Sequence, residues 1–204
     1  MRVERHGRDE IGFSRTDLVV VVFIIVSMVL LGSLYLPTLP KRVDKLSCSY
    51  YLQQIGQNSL YYANTHNGNF RVSVPLNSGN GAASVEQVYY QTVGSRLRVS
   101  YLICPQDTRI PASDWKSLNR TNISYFFDPD AVFNDPLSVL AGDRNISVSA
   151  QGIYSWNPAL GLHGDHGNVA FADGHVEYAF RVDSARLDQL FHQGGNSTNR
   201  LLLP

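Results

Sequence analysis

The chain has 204 residues, enough to bury one substantial core, and it permits a second domain without requiring one. Its 17 Lys and Arg balance 17 Asp and Glu, so it lacks the basic field of a nucleic-acid-binding surface and no nucleic acid is expected as a partner. Its two cysteines, Cys48 and Cys104, are too few for a disulfide-dense scaffold and show no CxxC spacing for zinc, but they allow one bridge in an oxidising compartment.

Leu18 to Leu36 is the first distinctive segment. It carries no charge, and its only polar side-chain groups are Ser27, Ser33 and the Tyr35 hydroxyl. As a helix it would span about 28 Å, close to the hydrocarbon thickness of a bilayer. So long and uniform an apolar run is unusual for a core helix of a small soluble domain. A removable secretory signal should be followed by a small-x-small cleavage site, whereas PTLPKRVDK follows here. A retained transmembrane helix is therefore expected. Pro37 and Pro40 should break it just past the lipid.

The residues before the run are Gly12-Phe13-Ser14-Arg15-Thr16-Asp17. A carboxylate at the edge of lipid is costly unless paired, so Asp17 is out of place in a passive anchor. The pattern resembles the class III signal of type IV prepilins and type II secretion pseudopilins. That resemblance implies cleavage by a prepilin peptidase between Gly12 and Phe13 and methylation of the new N-terminus. It also implies a role for Asp17 in assembly, where its carboxylate neutralises the Phe13 amine of a neighbouring subunit. Asp17 stands where Glu is usual, Arg15 and Thr16 where apolar residues are common, and the leader is neutral rather than basic. The flanking charges alone favour the opposite orientation; the junction motif sets the orientation adopted here.

From Val43 to about Asn64, the residues Cys48, Leu52, Ile55, Ser59, Leu60 and Ala63 recur at spacings of three and four. That periodicity predicts an amphipathic stem helix lying against a globular head, ended by Asn64-Thr-His-Asn-Gly-Asn69. The head reads as mainly β. Val99–Ile103, Ile123–Phe127 and Ile146–Val148 are strand candidates, and Val85–Val93 fits either a short helix or a strand. Asn168–Phe171 and His175–Tyr178 flank Ala-Asp-Gly, which signals a hairpin. Arg186–His192 fits a short C-terminal helix and Gly194–Asn199 a loop.

Ser47-Cys48, Leu52-Gln-Gln-Ile-Gly56, Cys104-Pro-Gln-Asp107, Asn122-Ile-Ser-Tyr-Phe126 and Gly142-Asp-Arg-Asn145 occur in that order. His163 follows, then nine residues, then Asp173-Gly174. The ordered set is similar to a large pseudopilin-like family of planctomycetes and verrucomicrobia, marked by a C-terminal H-x9-DG element. The resemblance covers nearly the whole chain. It implies an α+β, pilin-like fold, with a long N-terminal helix packed on a mainly antiparallel β head. The implied organisation is a leader over 1–12, the transmembrane helix and proline break over 13–40, the stem over 41–66 and the head over 67–204.

Within the H-x9-DG element, Asp165, His166 and Asp173 are candidate metal ligands, with calcium the cation considered. Hairpin geometry alone accounts for Asp173-Gly174, and a hydrogen bond from His163 across the hairpin would account for the spacing, so a structural role is the preferred reading. Cys48 and Cys104 are either bridged or two small buried hydrophobes. A bridge would close a loop of more than fifty residues and stabilise the head by ~3–4 kcal/mol. No GxSxG, HExxH or phosphate-cradling glycine loop occurs, so neither an enzyme nor a resident cofactor is expected.

The expected function is that of a structural pseudopilin-like subunit of a type II secretion or type IV pilus-like assembly. Its partners would be prepilin peptidase, other pseudopilin subunits, the inner-membrane secretion platform and membrane lipid. It would be a single-pass protein of the bacterial inner membrane with the head in the periplasm. The alternative is a statically anchored module whose head binds a cation or carbohydrate and never polymerises.

Overall fold

The structure, a computed structural model, describes residues 14–35, 39–72, 83–94, 96–149, 154–180 and 201–204. The chain divides into two units, Met1–Arg42 and Val43–Pro204.

In the first unit, helix α1 spans Arg15–Tyr35. Ser14 precedes it as a capping residue: its hydroxyl accepts from the Thr16 amide at 3.3 Å, and Asp17 Oδ2 accepts from the Ser14 amide at 3.0 Å. Asp17 thus satisfies a backbone donor at the helix start, where the helix dipole also favours a negative charge. Arg15–Ser33 is long and apolar enough to cross a membrane, and none of it is buried within the protein. The Ser33 hydroxyl donates to the Leu30 carbonyl at 2.8 Å, which satisfies it without water.

Helix α2 spans Leu39–Thr65. Pro40 stands in its first turn, where a missing backbone donor costs no intrahelical bond; Pro37 lies outside the described residues. Cys48, Leu52, Ile55, Ser59 and Ala63 are buried and Leu60 is partly buried, while Gln53 and Gln57 are exposed. The spacing read from the sequence therefore selects the inward face. The helix stops at Thr65 because Asn67 and Gly68 adopt φ of 55° and 75°, a left-handed path that ends helices.

Helix α3, Val85–Thr92, resolves the ambiguous segment as helical. Ser84 and Gln87 form a reciprocal capping box, and Val85, Val88, Tyr89 and Thr92 turn inward. Six strands follow: β1 Tyr125–Phe127, β2 Val139–Asp143, β3 Ile146–Val148, β4 Tyr154–Trp156, β5 Gly167–Phe171 and β6 Val176–Phe180. A four-stranded antiparallel sheet has the order β1-β2-β5-β6, and β3-β4 form a separate antiparallel pair. The class is α+β, with an N-terminal apolar helix and an antiparallel sheet. All residues of β2 and β5 are buried, as expected of central strands covered on both faces.

The expected strand over Val99–Ile103 is instead a 3-10 turn, Val99–Leu102. Turn geometry buries Leu102 completely and stacks Tyr101 on Tyr51 of α2, with ring centroids 4.4 Å apart. Packing against a helix thus overrides β-branched propensity. Arg186–His192 and Gly194–Asn199 lie outside the described residues.

Candidate functional site

Asp143 at the end of β2 organises the centre of the head. Its Oδ2 accepts from the backbone amide of Asn168 at 2.6 Å and from the Asn168 side chain at 2.8 Å. The same oxygen lies 3.4 Å from His163 Nε2, and the two side chains are 0% and 2% exposed. Burial pushes the Asp143 carboxyl up to about 7, against the two hydrogen bonds from Asn168 that favour the charged form. Its Oδ1 is buried without a hydrogen-bond partner.

His163 meets the β5–β6 hairpin at Asn168 of β5. Its Nε2 is 3.4 Å from Cys104 Sγ, from Asp143 Oδ2 and from Asn168 Nδ2. Its backbone is left-handed at φ 51°, a conformation that costs a non-glycine residue energy and persists only where the surroundings fix it. The fixing comes from Asn145, whose side-chain amide donates to the carbonyls of Gly164 at 3.1 Å and His166 at 2.8 Å. Cys104 is bonded to Cys48 of α2 as a disulfide, with Cα atoms 4.8 Å apart. Both cysteines are fully buried.

Beside this centre lies an ion pair. Arg144 reaches both oxygens of Asp107, and Ser124 donates to Asp107 Oδ2 at 2.7 Å. Burial works against the Asp107 charge, but the bonds from Arg144 and Ser124 and the charge of Arg144 outweigh it and hold the carboxyl below its ordinary value. The Arg144 amide donates to the Ser124 carbonyl at 2.9 Å. Cys104-Pro-Gln-Asp107, Ser124, Gly142-Asp-Arg-Asn145 and His163, widely spaced in sequence, therefore converge on one buried polar cluster against the disulfide.

Gly142 belongs to it for a steric reason: a Cβ there would lie 2.6 Å from the Phe126 ring and 2.9 Å from the Asn168 carbonyl oxygen.

The Asp173-Gly174 end of the element does different work. Gly174 has φ 94°, and its amide donates to the Phe171 carbonyl at 2.9 Å while the Phe171 amide donates to His175 at 2.9 Å. This three-residue loop needs glycine at its left-handed position. Asp173 Oδ1 accepts from the His175 amide at 3.0 Å and faces His175 Nδ1 at 2.5 Å, which explains the Asp as a turn cap.

Among the described residues, Asp165 and His166 lie together but Asp173 does not join them in a metal-competent group. Asp165 pairs with His166 at 3.1 Å and Asp173 with His175. Among the described residues, the group of metal-competent side chains with converging ligand atoms is Cys48, Cys104 and His163, all within 4.8 Å of one another. Sequence reasoning set the cysteines and the histidine apart, and it gave Asp143 and Asp107 no role. The available signal is that each acid sits inside one of the ordered segments Cys104-Pro-Gln-Asp107 and Gly142-Asp-Arg-Asn145. Gly12 and Phe13 lie outside the described residues; Asp17 is exposed in the first turn of α1.

Comparison of the chain with models of known protein families, with curated proteins and with solved structures finds no match in any of the three.

Proposed function

We propose that the chain is a pseudopilin-like structural subunit, cut after Gly12, that assembles through its N-terminal helix into a type II secretion or type IV pilus-like fibre on the periplasmic side of an inner membrane. The observation that carries the reading is the start of α1: an apolar, unburied helix with a carboxylate, Asp17, in its first turn. Asp17 would be the fifth residue of a chain beginning at Phe13. Its bond to the Ser14 amide needs only one carboxylate oxygen, which leaves the other for the amine of a neighbouring subunit. Pairing two charges that are each expensive in lipid gives the helices a register as well as an attraction. The disulfide between α2 and the head supports an oxidising location for the head.

The test is the N-terminal residue and mass of the protein from its native membrane. A chain starting at methylated Phe13 supports the reading, whereas an intact Met1 in cells with active prepilin peptidase overturns it.

A second reading, an anchored module that binds a carbohydrate, is favoured by an open groove of about 880 Å³ lined in part by Tyr62, Tyr90, Trp115, Arg96 and Asp114. Aromatic edges beside charged and amide groups suit a sugar. Glycan binding by a chain with an intact Met1 would select this reading.

A further inference from the structure

We propose that the disulfide and its two buried neighbours are one redox-gated metal site: when Cys48 and Cys104 are reduced, their thiolates, His163 Nε2 and Asp143 Oδ2 together hold one zinc-class divalent ion. The proposal is independent of whether the chain assembles.

Four separate segments supply the ligands: Cys48 from α2, Cys104 after the 3-10 turn, Asp143 from β2 and His163 from the loop before β5. Two ligand atoms on one tetrahedral zinc ion lie ~3.3–3.8 Å apart, given metal bonds of about 2.0–2.3 Å. His163 Nε2 already stands 3.4 Å from Cys104 Sγ and 3.4 Å from Asp143 Oδ2. The nitrogen–oxygen separation is long for a hydrogen bond, the nitrogen–sulfur one is within hydrogen-bond range, and both are ordinary for atoms that share a metal. The donor set has two soft sulfurs, an imidazole and a carboxylate, which favours zinc over calcium. The second shell is also in place. The Asn168 amides hold the Asp143 carboxylate, and Asn145 holds the loop that carries His163, the supports that orient metal ligands.

The chemistry balances with a dithiol reductant. The dithiol gives two electrons and two protons to the Cys48–Cys104 bond; that bond breaks, two thiols form and the dithiol closes to its own disulfide. Metal binding then releases the two thiol protons to solvent. In either state a link joins α2 to the head, so the ion takes over the tether when the disulfide opens.

The experiment uses the full chain in detergent micelles, reduced with a phosphine that is then removed without air, and titrated with Co²⁺. Expected are saturation at one ion per chain, the intense visible bands of tetrahedral cobalt, a thiolate-to-cobalt charge-transfer band and displacement by Zn²⁺. The oxidised chain should give no such band. His163→Ala should weaken binding by more than about tenfold, and replacing both Cys48 and Cys104 by Ser should abolish the charge-transfer band. If reduction unfolds the head, recovery of its far-ultraviolet dichroism on adding Zn²⁺ supports the site and failure to recover overturns it. A reduced, folded chain without a thiolate–cobalt band, or one whose band His163→Ala leaves unchanged, also overturns it.

Discussion

Arg144 meets Asp107 side-on, with Nε donating to Oδ2 at 2.7 Å and Nη2 donating to Oδ1 at 2.8 Å. The side chains are 12% and 0% exposed, so removing the cation alone strands a buried carboxylate. Arg144→Met should cost about 3–5 kcal/mol, and adding Asp107→Asn should recover part of that loss. Asp107 is held below its ordinary value of 3.8. The pair therefore contributes stability above that pH and loses it as pH falls through the lower folded value. Denaturant unfolding of the full chain across acid pH, followed by tryptophan fluorescence, should show a smaller acid-side loss in Arg144→Met than in wild type. Equal slopes would mean that the pair does not govern acid stability.

Asp128 behaves in the opposite sense. Burial, and secondarily the charge of Asp130, push its carboxyl up to about 6, against the hydrogen bond from the Asp130 amide and the charge of Arg71. The folded form then binds more protons than the unfolded form between pH 3.8 and about 6. Stability falls as pH rises through that window and levels off above it. Asn in its place can still accept from the Asp130 amide. Asp128→Asn should exceed wild type by about 1–3 kcal/mol at pH 7 and converge with it below about pH 4. A difference that does not change with pH would contradict the assignment.

Gly174 packs against the stem helix. A Cβ there would stand 2.7 Å from Leu60 Cδ1, at φ 94°. Leu60 can yield at its side-chain tip, but the backbone strain persists. Gly174→Ala should cost about 1–3 kcal/mol, and adding Leu60→Ala should not restore the loss. Thermal unfolding of both variants checks this; an unchanged midpoint for Gly174→Ala would refute it.

The Cys48–Cys104 link closes a loop with a sequence separation of 56. Replacing both cysteines by Ala should destabilise the head by about 3–4 kcal/mol, read as a lower denaturant midpoint under oxidising conditions. Wild type treated with reductant under metal-free conditions should move towards the same midpoint.

Asp17→Ala should leave the chain membrane-inserted and cleaved after Gly12, yet abolish its recovery in sheared fibres or in cross-linked subunit ladders. Asp17→Glu should restore recovery, because it keeps the charge. Undiminished cross-linking of Asp17→Ala would remove the charge-pairing step from the assembly proposal.

The elements legible in the sequence are those whose signals are local. An uninterrupted apolar run fixes α1. A three-and-four spacing picks out the buried face of α2, and Ala-Asp-Gly between two apolar stretches marks β5–β6. The capping box of Ser84 and Gln87 was also present in the sequence and could have settled α3 as helical. Val99–Ile103 misleads because its β-branched composition carries no information about Tyr51, the partner that selects a turn.

The sequence by itself determined the apolar N-terminal helix, the inward face of the stem and the hairpin, because hydrophobic period and turn chemistry act over a few residues. Only the tertiary structure decided that Asp107, Asp143, Arg144 and His163 form one cluster beside a Cys48–Cys104 bond. Those groups lie up to 56 positions apart between Asp107 and His163. What brings them together is the antiparallel pairing of the buried strands β2 and β5, and no local pattern encodes which buried charges will meet or which partners will satisfy them.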